Sequence, residues 1–157
     1  MTKERQNPSD MGIFSLTFEY LRELYRAGHK SSYKGYSLSQ LRTCDPEDFE
    51  QAVAEAWEIK GYATKVTSGG ADMGVDVIAK SGDRRVAIQA KRYQEGNKVG
   101  VSTVREIVGS ANQIGANTTV IVTTSSFTEP AKEAAEALDV ELYNGDQIVR
   151  ILAQVGD

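Results

Sequence analysis

The chain has 157 residues, of which 40% are hydrophobic and 25% charged, a composition typical of one globular domain able to bury a core. No apolar run approaches the roughly 18 residues that a membrane span needs, and no signal-peptide pattern is present, which predicts a cytoplasmic protein without membrane contact. The single cysteine, Cys44, excludes an intrachain disulfide, and the single histidine, His29, excludes a His-rich zinc site.

The net charge of −4 conceals an uneven distribution of charged residues. Residues 60–105 carry nine Lys and Arg against four acidic residues, whereas residues 45–59 carry six acidic residues and no base. A basic segment is typical of proteins that contact the phosphate backbone of nucleic acids. For any individual lysine, a solvated charged surface is the alternative. The distribution therefore favours a nucleic-acid partner although the total charge does not.

Residues 1–45 predict an N-terminal extension with one amphipathic helix. Apolar residues recur at helical spacing from Phe14 to Tyr25, and Gly28 is a suitable end for this helix. Residues 30–36 then mix lysines with tyrosines. They form either a surface connection or a loop that contacts nucleic acid through stacking and charge.

A second predicted helix opens the main domain, which is assigned to residues 46–157. Asp45 is suited to the N-cap, Pro46 to the first helical position, and Gly61 to the end of the helix. The predicted buried stripe consists of Phe49, Ala52, Val53, Ala56 and Trp57. Glu50 lies just beside this stripe, where spacing alone predicts an exposed helix acid.

Residues 75–91 predict a β-hairpin that carries the candidate chemistry. Two β-branched runs flank a turn at residues 81–83, and the period of two places Gln89 and Lys91 on one face of the second strand. An antiparallel partner strand would bring Asp76 beside them. A carboxylate, an amide oxygen and an ammonium can together bind Mg²⁺ and act on a phosphate. The alternative is that Asp76 closes a turn and that the other two lie on a solvated strand.

A second aspartate competes with Asp76 for the metal. Residues 62–67 predict a strand, and a glycine-rich turn containing Asp72 follows it. Asp76 is favoured because it begins a strand that holds it, whereas a glycine-rich loop fixes a ligand poorly.

The remainder of the chain alternates helices and strands. Residues 93–100 predict a polar loop able to approach DNA, and Ser102 is a candidate cap for the helix that follows. Residues 118–123 form a nearly continuous β-branched run, as in a strand buried on both faces. Further elements are predicted as a helix from Thr128, a strand at 140–143 and a helix from 145. This order predicts an α/β fold, a mixed β-sheet sandwiched between helices.

These motifs resemble the PD-(D/E)xK nuclease superfamily and, within it, the Mrr-like restriction endonuclease domain, over residues 46–152. The matching segments are residues 48–50, 61–62, 72–76, 89–93 and 122–128. Gln89 stands where most of the superfamily has an acid, which is typical of Mrr-like domains, and Val75 takes the place of the proline. The resemblance implies the restriction-endonuclease-like fold.

The resemblance also implies a metal-dependent DNA endonuclease of restriction type. Its catalytic residues would be Glu50, Asp76, Gln89 and Lys91. Mg²⁺, for which Mn²⁺ would substitute, would be bound by Asp76, Gln89 and the Ala90 carbonyl, with Glu50 acting directly or through water. Lys91 would position or activate the attacking water and stabilise charge on the phosphate.

Three basic residues, Lys65, Arg92 and Lys98, are predicted to contact the backbone of double-stranded DNA. A homodimer is expected because cutting both strands usually requires two sites. Mrr-like enzymes often act on modified DNA read by a separate winged-helix domain, and residues 1–45 are too short for one, so modification dependence stays open. The alternatives are a Holliday-junction-resolvase-like or DNA-repair nuclease of the same fold, and a non-catalytic DNA-binding module.

Overall fold

The computed structural model describes residues 36–67 and 74–156. The helix predicted before Gly28, the loop at 30–35 and the rival ligand Asp72 lie outside the described residues. The helices are α1 (Leu38–Thr43), α2 (Pro46–Ile59), α3 (Val101–Gln113), α4 (Glu129–Leu138) and α5 (Gly145–Leu152), followed by a 3-10 helix (Ala153–Gly156). The strands are β1 (Ala63–Val66), β2 (Val77–Ser81), β3 (Arg84–Lys91), β4 (Thr118–Thr123) and β5 (Val140–Tyr143).

The five strands form one mixed sheet in the order β1-β2-β3-β4-β5. β1, β2 and β3 pair in antiparallel fashion, while β3, β4 and β5 run parallel to one another. In the β2–β3 hairpin Ser81 is opposite Arg84, which leaves a two-residue turn in which Gly82 adopts φ +57°. Parallel strands require crossover connections, and α3 and α4 provide them. The predicted mixed sheet and hairpin are confirmed.

Apolar side chains cover both faces of the sheet. On one face, α1, α2 and α5 contribute a cluster that includes Trp57, which is 2% exposed. On the other face, α3 and α4 contribute a second cluster that includes Ile107. Val120 of β4 belongs to the first cluster and its neighbour Ile121 to the second, because successive side chains of a strand point to opposite faces. The sandwich and the double-sided burial of this strand are confirmed.

Helix α2 begins and ends as predicted. Asp45 occupies the N-cap with extended backbone, although its side chain makes no cap hydrogen bond, and Pro46 is the first helical residue. Gly61 follows the helix with φ +100°, a conformation that glycine adopts without strain. Burial of Phe49 and Trp57 on this helix contributes about 2–3 kcal/mol each to stability.

The predicted cap of α3 at Ser102 is wrong. The N-cap is Gly100, and Ser102 is an exposed residue of the first helical turn. The preceding Val99 donates its N–H to Ser126 O (2.9 Å) and accepts from Thr128 N (3.0 Å), so the helix starts where the chain leaves this bridge. The helix predicted from Thr128 is confirmed as α4, and Thr128 is its N-cap, with a side chain that accepts from Ala131 N at 3.2 Å.

Helix α1 was not predicted from the sequence. It has six residues, too few for a clear periodic pattern, and begins with a capping box between Ser37 and Gln40. Leu41 is 1% exposed and packs into the same core as α2. The domain boundary between residues 45 and 46 stays a prediction. Within the described part of the chain, every helix is too short or too polar to cross a membrane.

Candidate active site

Asp76 lies immediately before β2, and hydrogen bonds hold both its backbone and its carboxylate. Its N–H donates to Ile88 O (2.8 Å), which extends the β2–β3 ladder by one residue, and its carbonyl accepts from Thr67 N (2.9 Å). Its Oδ2 accepts from the N–H of Ala90 at 2.7 Å. The carboxylate is therefore held against the strand that carries Gln89 and Lys91, as the hairpin predicted.

Thr67, directly after β1, is hydrogen-bonded to the two residues that precede β2. Its buried hydroxyl donates to Val75 O at 2.6 Å, in addition to the backbone bond to Asp76. Sequence reasoning missed this role, because the two segments that Thr67 joins are separated by residues 68–73. Thr67 thus sets the position of a candidate ligand without being one.

Gln89 is 2% exposed, and its Oε1 is buried without a hydrogen bond from any described residue. Leaving such an acceptor without a partner costs about 1–3 kcal/mol. Lys91 lies two residues further along β3, on the same face and half-buried. The buried amide oxygen can therefore donate an electron pair to a bound metal ion.

Glu50 of α2 and Asp76 form a carboxyl pair. Burial, the neighbouring charges of Asp76 and Glu47, and a hydrogen bond with Asp76 raise the pKa of Glu50 to about 7. Burial also raises the pKa of Asp76, while the Ala90 N–H, the Lys91 ammonium and the bond with Glu50 oppose that rise. The proton of the pair therefore lies on Glu50, and it would leave when a cation binds.

The donor set fits a hard divalent cation. In residues 36–67 and 74–156, no three Asp, Glu, His or Cys side chains are placed to hold a metal ion together. The carboxylates of Glu50 and Asp76 with the Gln89 amide oxygen instead make a mixed set of oxygen donors, to which the Ala90 carbonyl is predicted to add. Mg²⁺ prefers oxygen ligands and retains several waters, so it needs only a few protein donors.

Two threonines at the end of β4 hold the end of β3. Thr123 Oγ1 donates to Lys91 O at 2.8 Å, and Thr124 N donates to the same carbonyl at 3.2 Å. The Thr124 hydroxyl donates to Tyr93 O (2.6 Å) and accepts from Tyr93 N (2.8 Å). Both threonines are fully buried. The carbonyl of Lys91 and the backbone of Tyr93 are therefore both held by the end of β4.

The predicted DNA-contacting residues differ in their surroundings. Lys65 on strand β1 and Lys98 in the loop before α3 are exposed. Arg92 is half-buried, and its Nη1 donates to the carbonyl of Arg42 at the end of α1 at 2.6 Å. Arg92 therefore has a structural contact that the sequence did not indicate. The DNA contacts of all three residues stay predictions.

Sequence reasoning also missed Glu106, an exposed residue of α3. A Cβ atom placed on Gly74 would be 2.9 Å from Glu106 Oε1 and 3.1 Å from Gln89 Nε2. Gly74 adopts φ +92°, which also favours glycine. The Glu106 carboxylate contributes to the raised pKa of Asp76, after the larger effect of burial. No spacing rule relates Glu106 to the hairpin, since α3 is brought to it only by packing.

A mixed sheet that brings two carboxylates, a buried glutamine and a lysine together beside one strand end defines an α/β domain of the restriction-endonuclease-like class. Residues 41–152 match the Mrr_cat family, described as a restriction endonuclease. The chain belongs to this family, and the resemblance seen in its sequence is confirmed.

Individual relatives support this assignment. The chain is 29% identical over 126 residues to the type IV methyl-directed restriction enzyme EcoKMrr of Escherichia coli (strain K12). The matched region covers 74% of this chain and 41% of that protein. The DNA modification-dependent restriction endonuclease AspBHI is similar in structure, with a TM-score of 0.57, 23% identity, and coverage of 88% of this chain and 35% of that one. AF1548, a protein of unknown function, gives a TM-score of 0.53 at 22% identity, over 61% of this chain and 57% of the other. The structural similarities confirm the fold.

Proposed function

We propose that this domain is a metal-dependent DNA endonuclease that hydrolyses phosphodiester bonds, with Mg²⁺ as its cofactor and Mn²⁺ as a substitute. One observation carries the proposal: the buried Oε1 of Gln89 lacks a partner among the described residues, beside a carboxylate and on the same strand face as Lys91. The chain corresponds to less than half the length of EcoKMrr, so its activity is argued from its own site.

The site residues divide into metal-holding and phosphate-contacting groups. Asp76, Gln89, the Ala90 carbonyl and Glu50 would hold the ion. When bound, such an ion polarises the phosphate and lowers the pKa of coordinated water. The Lys91 ammonium, half-buried beside Asp76, would orient the attacking water and stabilise charge that develops on the phosphate oxygens. The hydrogen bond from Thr123 to the Lys91 carbonyl fixes the backbone from which this side chain extends.

We further propose duplex DNA as the substrate, with Lys65, Arg92 and Lys98 contacting its backbone. EcoKMrr is described as methyl-directed and AspBHI as modification-dependent, which supports modified DNA as the first substrate to test. The proposal includes a homodimer, because two sites are needed to cut both strands, and action in the cytoplasm.

The test is a cleavage assay of the full chain with methylated duplex, unmethylated duplex and a four-way junction, each with Mg²⁺, Mn²⁺ or EDTA. The expected result is cutting that requires metal and is lost in Lys91→Ala. Lys80→Ala is the control, since Lys80 is exposed near the opposite end of the hairpin and its loss changes the charge equally.

Two outcomes would contradict the proposal. Binding without cutting under every metal would identify a non-catalytic DNA-binding module. Preference for the four-way junction over both duplexes would instead favour a resolvase, which is expected to act as a two-fold dimer.

A further inference from the structure

Two residues beyond Lys91, the backbone of Tyr93 is held on both sides by one side chain. The Thr124 hydroxyl accepts from the Tyr93 N–H at 2.8 Å and donates to Tyr93 O at 2.6 Å. Thr124 is 0% exposed, so water does not compete for its hydroxyl. Tyr93 lies past the end of β3, where the sheet ladder no longer fixes the chain. The Thr124 hydroxyl therefore does for Tyr93 what ladder hydrogen bonds do for a strand residue.

The Tyr93 side chain lies on the same side of the sheet as Lys91. It packs against the apolar cluster of α3 and α4, to which Ala87 of β3 also belongs. Successive side chains of a strand alternate between faces, so Gln89 and Lys91 share the face of Ala87. An extended chain advances at most about 3.6 Å per residue, so the Cα atoms of Lys91 and Tyr93 lie within about 7 Å of each other. Tyr93 therefore borders the place where Lys91 would contact a phosphate.

The Tyr93 hydroxyl has no partner in the part of the protein that the structure describes. Tyr93 is half-buried, and its hydrogen bonds within residues 36–67 and 74–156 are the two of its backbone. A tyrosine that packs its ring usually directs its hydroxyl to a hydrogen-bonding partner. A phenol can donate to a phosphate oxygen, and tyrosine is one of the side chains that contact DNA phosphates in this way.

We propose that the Tyr93 hydroxyl donates a hydrogen bond to a phosphate oxygen of the bound DNA strand, and that Thr124 is the positioning residue that holds Tyr93 for this contact. The inference rests on the proposed function and deepens it by adding an uncharged DNA contact beside Lys91. The ring already packs against the protein, which favours the hydroxyl over base stacking as the contact.

The first experiment measures binding of the full chain to a fluorescent DNA duplex by anisotropy, in EDTA and at several salt concentrations. Tyr93→Phe keeps the ring and removes only the hydroxyl. It is expected to weaken binding about five- to tenfold at every salt concentration, as the loss of a hydrogen bond to a charged group does. The dependence of affinity on salt should keep the slope of the parent, because the lost group carries no charge.

Two variants of Thr124 test the positioning role. Thr124→Val removes the hydroxyl from a side chain of similar shape and should weaken duplex binding as Tyr93→Phe does. Thr124→Ser keeps the hydroxyl and should retain most of the affinity. In the Tyr93→Phe background, Thr124→Val should cause no further loss, because no phenol remains to be positioned. Thr119→Val removes another buried hydroxyl from the same strand and should bind as the parent does.

Several results would overturn the inference. An affinity of Tyr93→Phe within about twofold of the parent would exclude the contact, and so would an equal loss in Tyr62→Phe, a half-buried tyrosine before β1 at the hairpin-turn end of the sheet. Equal losses in Thr124→Val and Thr124→Ser would exclude the positioning role. Weaker Mn²⁺ binding by Tyr93→Phe without DNA would place its effect at the metal site instead.

Failure of the inference and failure of the proposed function give different results. A parent chain that binds no duplex would contradict the proposed function and this inference together. A parent chain that binds and cuts duplex while Tyr93→Phe binds equally well would contradict the inference alone. If Thr124→Val does not fold, Tyr93→Phe and Thr124→Ser decide between the outcomes.

Discussion

The carboxylate of Asp76 is joined to the backbone of Ala90 by a 2.7 Å hydrogen bond, so the residue before β2 is tied to the strand that carries the other candidate ligands. This bond orients one carboxylate oxygen toward the chain and leaves the other for a cation or for Glu50. The candidate site is thereby built at the end of β3, the central strand of the five-stranded sheet.

Asp76→Asn is expected to keep the fold and lose the metal. The amide oxygen can still accept from the Ala90 N–H, but the negative charge that attracts a cation is gone. Mn²⁺ affinity should fall by more than about tenfold, and metal-dependent cutting should disappear. The melting temperature should stay the same or rise, because an incompletely solvated carboxylate is removed. Calorimetry and a Mn²⁺ titration measure the two effects, and loss of folding would contradict this separation of roles.

Glu50→Gln is expected to stabilise the metal-free protein at high pH. The pKa of Glu50 is about 7 when folded, above its ordinary value, so the folded state binds more protons than the unfolded state between these values. Stability from this group is complete at low pH and is lost as the pH rises through about 7. Glutamine does not ionise, so at pH 8 the variant should be more stable by about 1 kcal/mol after allowance for solvent screening.

Urea unfolding in EDTA between pH 5 and pH 8.5 measures this difference. The difference in unfolding free energy between Glu50→Gln and the parent should decrease toward pH 5, where the parent carboxyl is protonated in the folded state. Glu133→Gln, an exposed acid on α4, is the control and should show no such trend. Stability curves of Glu50→Gln and parent that run parallel would contradict the raised pKa.

Gly74→Ala and Gly82→Ala are expected to differ in function although both strain the backbone. Both glycines have positive φ, so each substitution should cost about 1 kcal/mol of stability. A Cβ at Gly82 meets no atom within 4 Å, whereas at Gly74 it would press on Glu106 and Gln89. Of the two variants, only Gly74→Ala should therefore weaken Mn²⁺ binding. Equal Mn²⁺ affinities in the two variants would show that the Gly74 contact does not matter.

Lys98→Ala and Arg92→Ala are expected to separate DNA binding from stability. Lys98 is exposed, so its loss should leave unfolding unchanged and reduce the salt dependence of duplex binding by about one unit of slope. Arg92→Ala removes the hydrogen bond to Arg42 O and should cost about 1.5 kcal/mol. Unfolding titrations and fluorescence anisotropy at several salt concentrations measure both. Lys132→Ala on α4 is the charge-matched control. Equal salt slopes for Lys132→Ala and Lys98→Ala would show that Lys98 does not contact the DNA.

Much of the architecture followed from local sequence patterns. The period of two along β3 placed Gln89 and Lys91 on one face, and the short turn required their strand to pair with the segment that begins at Asp76. Helix α2 was readable because Pro46 and Gly61 mark its ends and its apolar stripe has a clear period. Each of these signals acts within a few residues, where the geometry of the backbone alone relates spacing to position.

Tertiary packing decided the remaining features of the site. Glu106 lies near Gly74 because α3 packs against the sheet, Thr123 anchors Lys91 because β4 runs parallel to β3, and Arg92 binds α1 through Arg42. These partners come from separate elements, so no periodicity along the chain relates them. The sequence by itself determined which residue types could form the site and on which strand face they lie. The packing of α3, β4 and α1 determined which neighbours orient them, because such contacts depend on how the elements assemble.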